Sequence, residues 1–367
     1  MRKNIGFLFS LLLGLMPVHA SPQQQNIALL LHKEIAQFKK TERLDAISIA
    51  IFVDGKSYQY HEGVLADGTS PNNNSLYEIA SITKTYTGLL LAQAVLDGKI
   101  QLDDPISRHL LNHGYSNLSK NGVPITFRHL ATHTSGMPKD LAYTEDDRVN
   151  GRMIDRMRNY TKSHFMQDLA KTTLLSTPGE QYRYSNAGAI LISYMLEDIY
   201  GTSYSTLLEQ IVFAQSGEID TKLRSTNSEA HSVVRGTDET GKLAPLLSIY
   251  SSAEGGLTTT STSMINYLAF SLDDKNPLVR KSQEFLAGDM RTNGRSFFWN
   301  TFQYNGADKM LYHGGGSLGT SSWVSIYPNK KIGIFIVTNT TTGDTQRKLN
   351  EFSNRLYRLM QEKASQA

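Results

Sequence analysis

Three groups of residues in this 367-residue chain have the types and spacing to move a proton, activate a nucleophile and hold a substrate. Ser81 and Lys84 stand three apart at the head of an apolar, helix-spaced run that stops at Asp97-Gly98. Positions i and i+3 of a helix share a face, so the Ser81 hydroxyl and the Lys84 ammonium are expected side by side. A serine hydroxyl is a weak nucleophile until a neighbour takes its proton, and a lysine desolvated in a cleft has its pKa lowered toward that task. The helix N-terminus adds positive potential where negative charge develops. Tyr184 and Asn186 flank Ser185 just before a second apolar helix beginning near Ala187. The phenol can hold or relay a proton near a cation that lowers its pKa, and the amide can bond both Lys84 and a substrate carbonyl. His313-Gly314-Gly315 lies in a β-rich run, where glycines let a substrate backbone lie against a sheet edge.

The same stretch carries a competing signal. Residues Gly315 to Gly319 fit the G-x-S-x-G nucleophile elbow, and His313 to Gly316 fit a lipase-like oxyanion loop. An elbow serine stands between a strand and a helix, whereas Ser317 is followed by "GTSSWVSIYP", a strand pattern. The elbow fold also needs a His after its nucleophile, and none follows His313. Ser317 is therefore read as a bystander. His129 and His133, four apart, lack the adjacent Glu and third ligand of a zinc helix and are read as packed structural histidines, so no metal site is predicted.

Elements from both ends of the chain must position these groups. Ile27, Leu30, Leu31, Ile35 and Phe38 recur at helical spacing, and "AISIAIFV" and "KSYQYHEGV" then flank the hairpin turn Asp54-Gly55. Strand patterns return in "SFFWNTFQY", the turn Asn305-Gly306, "KMLYH", "SSWVSIY", the turn Pro328-Asn329 and "IGIFIVTN". A last helix puts Leu349, Phe352, Leu356 and Leu359 on one face. The two ends are thus expected to meet in one antiparallel sheet, with a mainly helical middle inserted. A polar excursion spans 139–162, and Thr258 to Thr262 reads as a polar loop with a capped helix start.

The chain opens with Arg2-Lys3, an apolar run and Val18-His19-Ala20, the pattern of a secretory leader cleaved after Ala20. That run is shorter than the ~20 residues of a permanent membrane anchor. An exported, periplasmic or secreted protein is expected. There is no Cys, so disulfides and thiol chemistry are excluded. The net charge of +3 is too near neutral for a nucleic-acid or membrane-surface binder.

Ser81-Ile82-Thr83-Lys84, Tyr184-Ser185-Asn186 and His313-Gly314-Gly315 resemble, in order, the three motifs of the serine β-lactamase and DD-peptidase superfamily. The nearest branch is that of class C β-lactamases, DD-carboxypeptidases and related esterases and D-aminopeptidases. "LDDPISRHL", "PITFRHLATHTSGMP" and "AEGGLTTTSTSMINYLAFSL" resemble its connecting segments. The resemblance implies an α/β (α+β) fold with a five-stranded antiparallel sheet, N- and C-terminal helices on it and an inserted helical region. Its parts would be a leader at 1–20, a sheet domain at 21–81 and 251–367, and a helical domain at 82–250. By the same resemblance Ser81 forms an acyl-enzyme, Lys84 and Tyr184 handle protons with the principal base open between them, and Asn186 orients Lys84 and substrate. His313, Gly314 and Gly315 would bind substrate, the backbone N–H groups of Ser81 and Gly316 would form the oxyanion hole, and no cofactor is implied.

One departure bears on substrate. The third motif of class C β-lactamases is usually Lys-Thr-Gly, whose ammonium and hydroxyl recognise a carboxylate. A neutral His313 is a weaker partner than Lys, and Gly314 has no hydroxyl. The leading expectation is a DD-carboxypeptidase or endopeptidase that acts on cell-wall D-peptides and binds penicillin, with at most weak β-lactamase activity. Its partner would be a small acyl substrate or peptidoglycan peptide. The alternatives are a carboxylesterase and a non-catalytic wall-binding or β-lactam-sensing protein.

Overall fold

The computed structural model describes residues 22–110, 115–224, 232–238, 240–304 and 308–364. The expected leader at 1–20 and the Asn305-Gly306 turn lie outside them. In chain order the principal elements begin with helix α1 (Pro22–Glu42) and strands β1 (Ala46–Val53) and β2 (Lys56–Gly63). Helices α2 (Thr83–Leu96), α3 (Asn186–Tyr200) and α4 (Ser261–Ser271) follow. Strands β3 (Gly294–Arg295), β4 (Asn300–Tyr304), β5 (Asp308–Gly316), β6 (Ser321–Tyr327) and β7 (Ile332–Thr338) lead to helix α5 (Thr345–Ala364).

The strands form one antiparallel sheet in the order β2-β1-β7-β6-β5-β4-β3. The chain ends meet where β1 pairs with β7, with Ile49 opposite Ile336. The β1-β2 hairpin turns at Asp54 and Gly55, which both have positive φ (47° and 76°), as a turn matched to strand twist requires. Seven strands stand where five were expected, because β4 and the two-residue β3 extend the edge beyond β5.

Period-two alternation explains why β1 and β7 are apolar almost throughout. Ile47, Ile49 and Ile51, with Ile334 and Ile336, pack against Leu31 and Ile35 of α1 and Leu349, Phe352 and Leu356 of α5. Ala46, Ala50, Phe335 and Val337 point the opposite way, into the core built around α2, α3 and α4. A sheet covered on both faces has no polar side to show. The buried stripe of α5 continues to Met360, while Leu359 sits only at its rim, because a 3.6-residue period reaches Met360 from Leu356.

Helix α2 is buried on nearly every side, with Tyr86 stacked on Tyr267 of α4 at 4.3 Å and the Thr85 and Tyr267 hydroxyls 2.6 Å apart. That packing gives the residues at its N-terminus a rigid base. The run from Thr258 differs from the polar loop expected. Leu257–Thr259 is a short strand that pairs with Tyr77–Glu78 and with Lys222–Leu223, as the β-branched threonines favour. Thr260 then caps α4, accepting from the Ser263 N–H at 3.2 Å. Among the described residues no helix is long and apolar enough to cross a membrane.

Candidate active site

The small ladder at Tyr77–Glu78 delivers Ser81. The Ile79 N–H donates to the Leu257 carbonyl at 3.1 Å, Ala80 turns into the left-handed region at φ 45°, and a 3-10 turn over Ala80–Ile82 opens into α2. A non-glycine residue held in that region costs about 1 kcal/mol or more, which the surrounding ladder and helix must offset. Ser81 is left partly exposed at the wall of a cleft of 710 Å³.

Lys84 lies behind it, fully buried. Its Nζ is 3.1 Å from Ser81 Oγ and donates to the Glu254 carbonyl at 2.5 Å. Burial pushes the Lys84 ammonium down to about 7, against the upward pull of the Glu254 and Asp140 carboxylates. Glu254 is itself raised by burial, and its carboxylate accepts from the Ser252 N–H and hydroxyl at 3.0 and 3.1 Å. Tyr184 shifts upward instead of downward as expected beside a cation, because burial outweighs the neighbouring charge. Burial raises its phenol well above the ordinary value, opposed by a hydrogen bond with Ser81, and Lys84 Nζ stands 4.9 Å from its ring centroid.

Asn186 is the first residue of α3, capped by Ser185, whose hydroxyl accepts from the Gly188 N–H at 3.1 Å. The Asn186 side-chain nitrogen donates to Asp140 at 2.8 Å rather than bonding Lys84 directly, and its buried Oδ1 has no hydrogen-bond partner. An ionised carboxylate can only accept, so Asp140 fixes which end of the amide faces it. Burial raises the Asp140 carboxyl above the usual carboxylate range, with the Asn186 bond working against that shift.

Strand β5 closes the site from the other side. A Cβ at Gly315 would lie 2.1 Å from the Ile79 carbonyl oxygen and 2.3 Å from Ser322 Oγ. This glycine therefore lets the strand close on the segment carrying Ser81. A Cβ at Gly314 would meet Gln346 at 2.3 Å, whereas one at Gly316 would meet nothing within 4 Å. Gly316, Ser317 and Leu318 line the cleft, and His313, Gly314 and Gly315 sit outside its lining. His313 is buried, with Nδ1 2.7 Å from the Gly314 carbonyl oxygen, and burial together with Lys84 pushes its pKa down to about 3, so the ring is neutral. Ser317 stands in the turn between β5 and β6, and its hydroxyl donates to the buried Glu78 carboxylate.

Ser81, Tyr184, Asn186 and Gly316 thus share one cleft with Lys84 directly behind. Sequence reasoning missed the Glu254 carbonyl and Asp140. The contact of Glu254 with Lys84 spans 170 residues and is made by the backbone, which no side-chain pattern announces. His129 caps the helix at Phe127–Ala131, its Nδ1 accepting from the Thr126 N–H, and His133 packs against Tyr184.

Known proteins resemble this chain in sequence and in fold. The Staphylococcus aureus (strain N315) Protein flp is 24% identical over 294 residues, covering 77% of this chain and 56% of its own length. The chain therefore spans little more than half of that relative. An octameric penicillin-binding protein homologue from Pyrococcus abyssi superposes with a TM-score of 0.70 at 24% identity, over 85% of this chain and 73% of the other. A Yersinia pestis Beta-lactamase/D-alanine carboxypeptidase complexed with citrate gives 0.75 at 21% identity, over 91% and 99%. The sequence matches the Beta-lactamase family over residues 31–358, nearly the whole described chain, and on that match it belongs to the Beta-lactamase family.

Proposed function

We propose that this protein is an exported acyl-transferring hydrolase that forms an acyl-enzyme at Ser81 and acts as a DD-carboxypeptidase or endopeptidase on cell-wall D-peptides. The observation that carries the reading is the 3.1 Å contact between Ser81 Oγ and a lysine whose pKa burial brings to about 7. A base poised near the working pH is the most effective one. The upward shift of Tyr184 supports Lys84 as the base, with Tyr184 a phenol at neutral pH.

Ser81 Oγ attacks the acyl carbon as its proton passes to Lys84, whose ammonium is then held by the Glu254 carbonyl. The tetrahedral oxyanion is met by the backbone N–H groups of Ser81 and Gly316. As the acyl carbon to nitrogen bond breaks, Tyr184 gives its proton to the leaving amine and is reprotonated from Lys84. Water then attacks the ester by the reverse proton path. Asn186 bears on the acyl group, its amide oriented by Asp140. The leader-like pattern at residues 1–20 supports action outside the cytoplasm.

A carboxylesterase is the second reading, favoured by the neutral His313 and by Gly314, which supply no cation or hydroxyl for a substrate carboxylate. The two separate on D-alanine release from an N-acylated peptide ending in D-Ala-D-Ala, set against hydrolysis of a short acyl ester. Release of D-alanine at a rate comparable with the ester supports the peptidase; ester turnover alone replaces it with the esterase. For whichever substrate turns over, kcat/KM is expected to fall about tenfold per pH unit below about 7 and to level off above. Lys84 must be unprotonated to accept from Ser81, and its depressed pKa places that limb near 7 rather than near the 10.5 of an ordinary lysine.

A further inference from the structure

His133 belongs to no step above, yet it touches the Tyr184 ring and the backbone of both its neighbours. Its carbonyl accepts the N–H of Arg183 at 2.7 Å, and its ring Nδ1 accepts the N–H of Ser185 at 3.2 Å. These are the amides on either side of Tyr184. The imidazole itself packs on the Tyr184 ring, with centroids 4.5 Å apart and planes inclined at 36°, and Phe298 lies 5.3 Å away. His133 does this from a left-handed backbone at φ 57°, a conformation uncommon outside glycine but more accessible to histidine, asparagine and aspartate than to other residues.

The ring's protonation is dictated by these bonds. An Nδ1 that accepts from an amide places the proton of a neutral imidazole on Nε2, and Nε2 is buried without an acceptor. Burial, with Lys84, His313 and Arg295 nearby, holds the ring neutral. A purely packing residue would do better without that stranded N–H, since a buried unpaired donor is costly and an apolar ring of similar shape would carry none. What a plain aromatic ring lacks is the acceptor beside Tyr184.

We propose that His133 is a positioning residue for Tyr184: its carbonyl and Nδ1 hold the N–H groups of Arg183 and Ser185, the residues flanking the tyrosine, and so fix the backbone from which the phenol reaches Ser81. The proposal rests on the proton-relay reading of Tyr184, and the test separates the two. The protein is labelled with 13C at tyrosine Cζ, and the Tyr184 resonance is identified by its loss in Tyr184→Phe. His133→Phe keeps a ring and removes the acceptor; His133→Asn restores an acceptor near Nδ1 and tolerates the left-handed backbone. The Tyr184 resonance is expected to move further from its wild-type position in His133→Phe than in His133→Asn.

In turnover, His133→Phe is expected to lower kcat at least tenfold with KM within about twofold, and to add less than twofold to the loss already caused by Tyr184→Phe. Contacting residues that act through one group are non-additive in this way. An unmoved Tyr184 resonance in His133→Phe, or an equal loss in both backgrounds, overturns the proposal. Should His133→Phe fail to fold, His133→Gln, whose acceptor sits too far out, replaces it, and identical spectra for the Gln and Asn variants overturn the proposal equally. If Tyr184→Phe itself retains full activity, the relay reading fails, while the resonance still judges His133.

Discussion

Lys84→Met is expected to lower kcat/KM for any acyl substrate by about 10²- to 10⁴-fold, the range that a positioned general base supplies. Methionine matches the lysine in length and suits a fully buried site, so the fold should be retained or gain slightly in stability as the desolvated amine is removed. The acid limb near pH 7 should vanish with the residue that titrates there. Lys84→Arg is not expected to rescue activity. A guanidinium stays charged and cannot take the Ser81 proton, and its planar fork does not fit the pairing of Ser81 Oγ with the Glu254 carbonyl. Steady-state kinetics over pH 5–9 on the three proteins checks this. A Lys84→Met enzyme within tenfold of wild type would pass the base role to Tyr184.

Gly315→Ala carries the second large effect, on stability and rate together. The new methyl must sit where the Ile79 carbonyl oxygen and Ser322 Oγ already lie, at 2.1 and 2.3 Å. The carbonyl is backbone of the segment leading to Ser81, so relief requires β5 or Ile79 to shift. Overpacking of this kind costs about 1–3 kcal/mol, and a displacement of about 1 Å at a nucleophile costs on the order of 10²-fold in rate. Gly316→Ala is the control: it meets nothing within 4 Å and should leave the unfolding midpoint unchanged. Denaturant melts of the two variants decide the point, and equal stability would contradict the close approach of β5 to Ile79.

Much of this site is legible in the sequence. Ser81 and Lys84 are adjacent because helical spacing allows little else, and the hairpin at Asp54-Gly55 and the alternation of β1 and β7 follow from residue types alone. The strand count was short because β3 and β4 are brief edge elements, and a two-residue strand has no period to read. Gly315 drew notice as a place for substrate to lie, yet its glycine is required by Ile79, more than 230 positions earlier in the chain. The same holds for Glu254 and Lys84 and for Asp140 and Asn186: each side chain or carbonyl finds its role through a contact that only the closed fold creates. His133 could be read as packed, but what it packs upon is set by the approach of the 133 and 184 loops.

The central claim, that Ser81 is the nucleophile of an acyl-enzyme, is tested most directly by intact mass. Wild type and Ser81→Ala are incubated with a penicillin and, separately, with a short acyl ester. The account predicts a stoichiometric adduct or acyl turnover for wild type and neither for Ser81→Ala, with a long-lived penicillin adduct marking the peptidase. An adduct of the same mass on Ser81→Ala, or a well-folded wild type that neither forms an adduct nor turns over the ester, would contradict it.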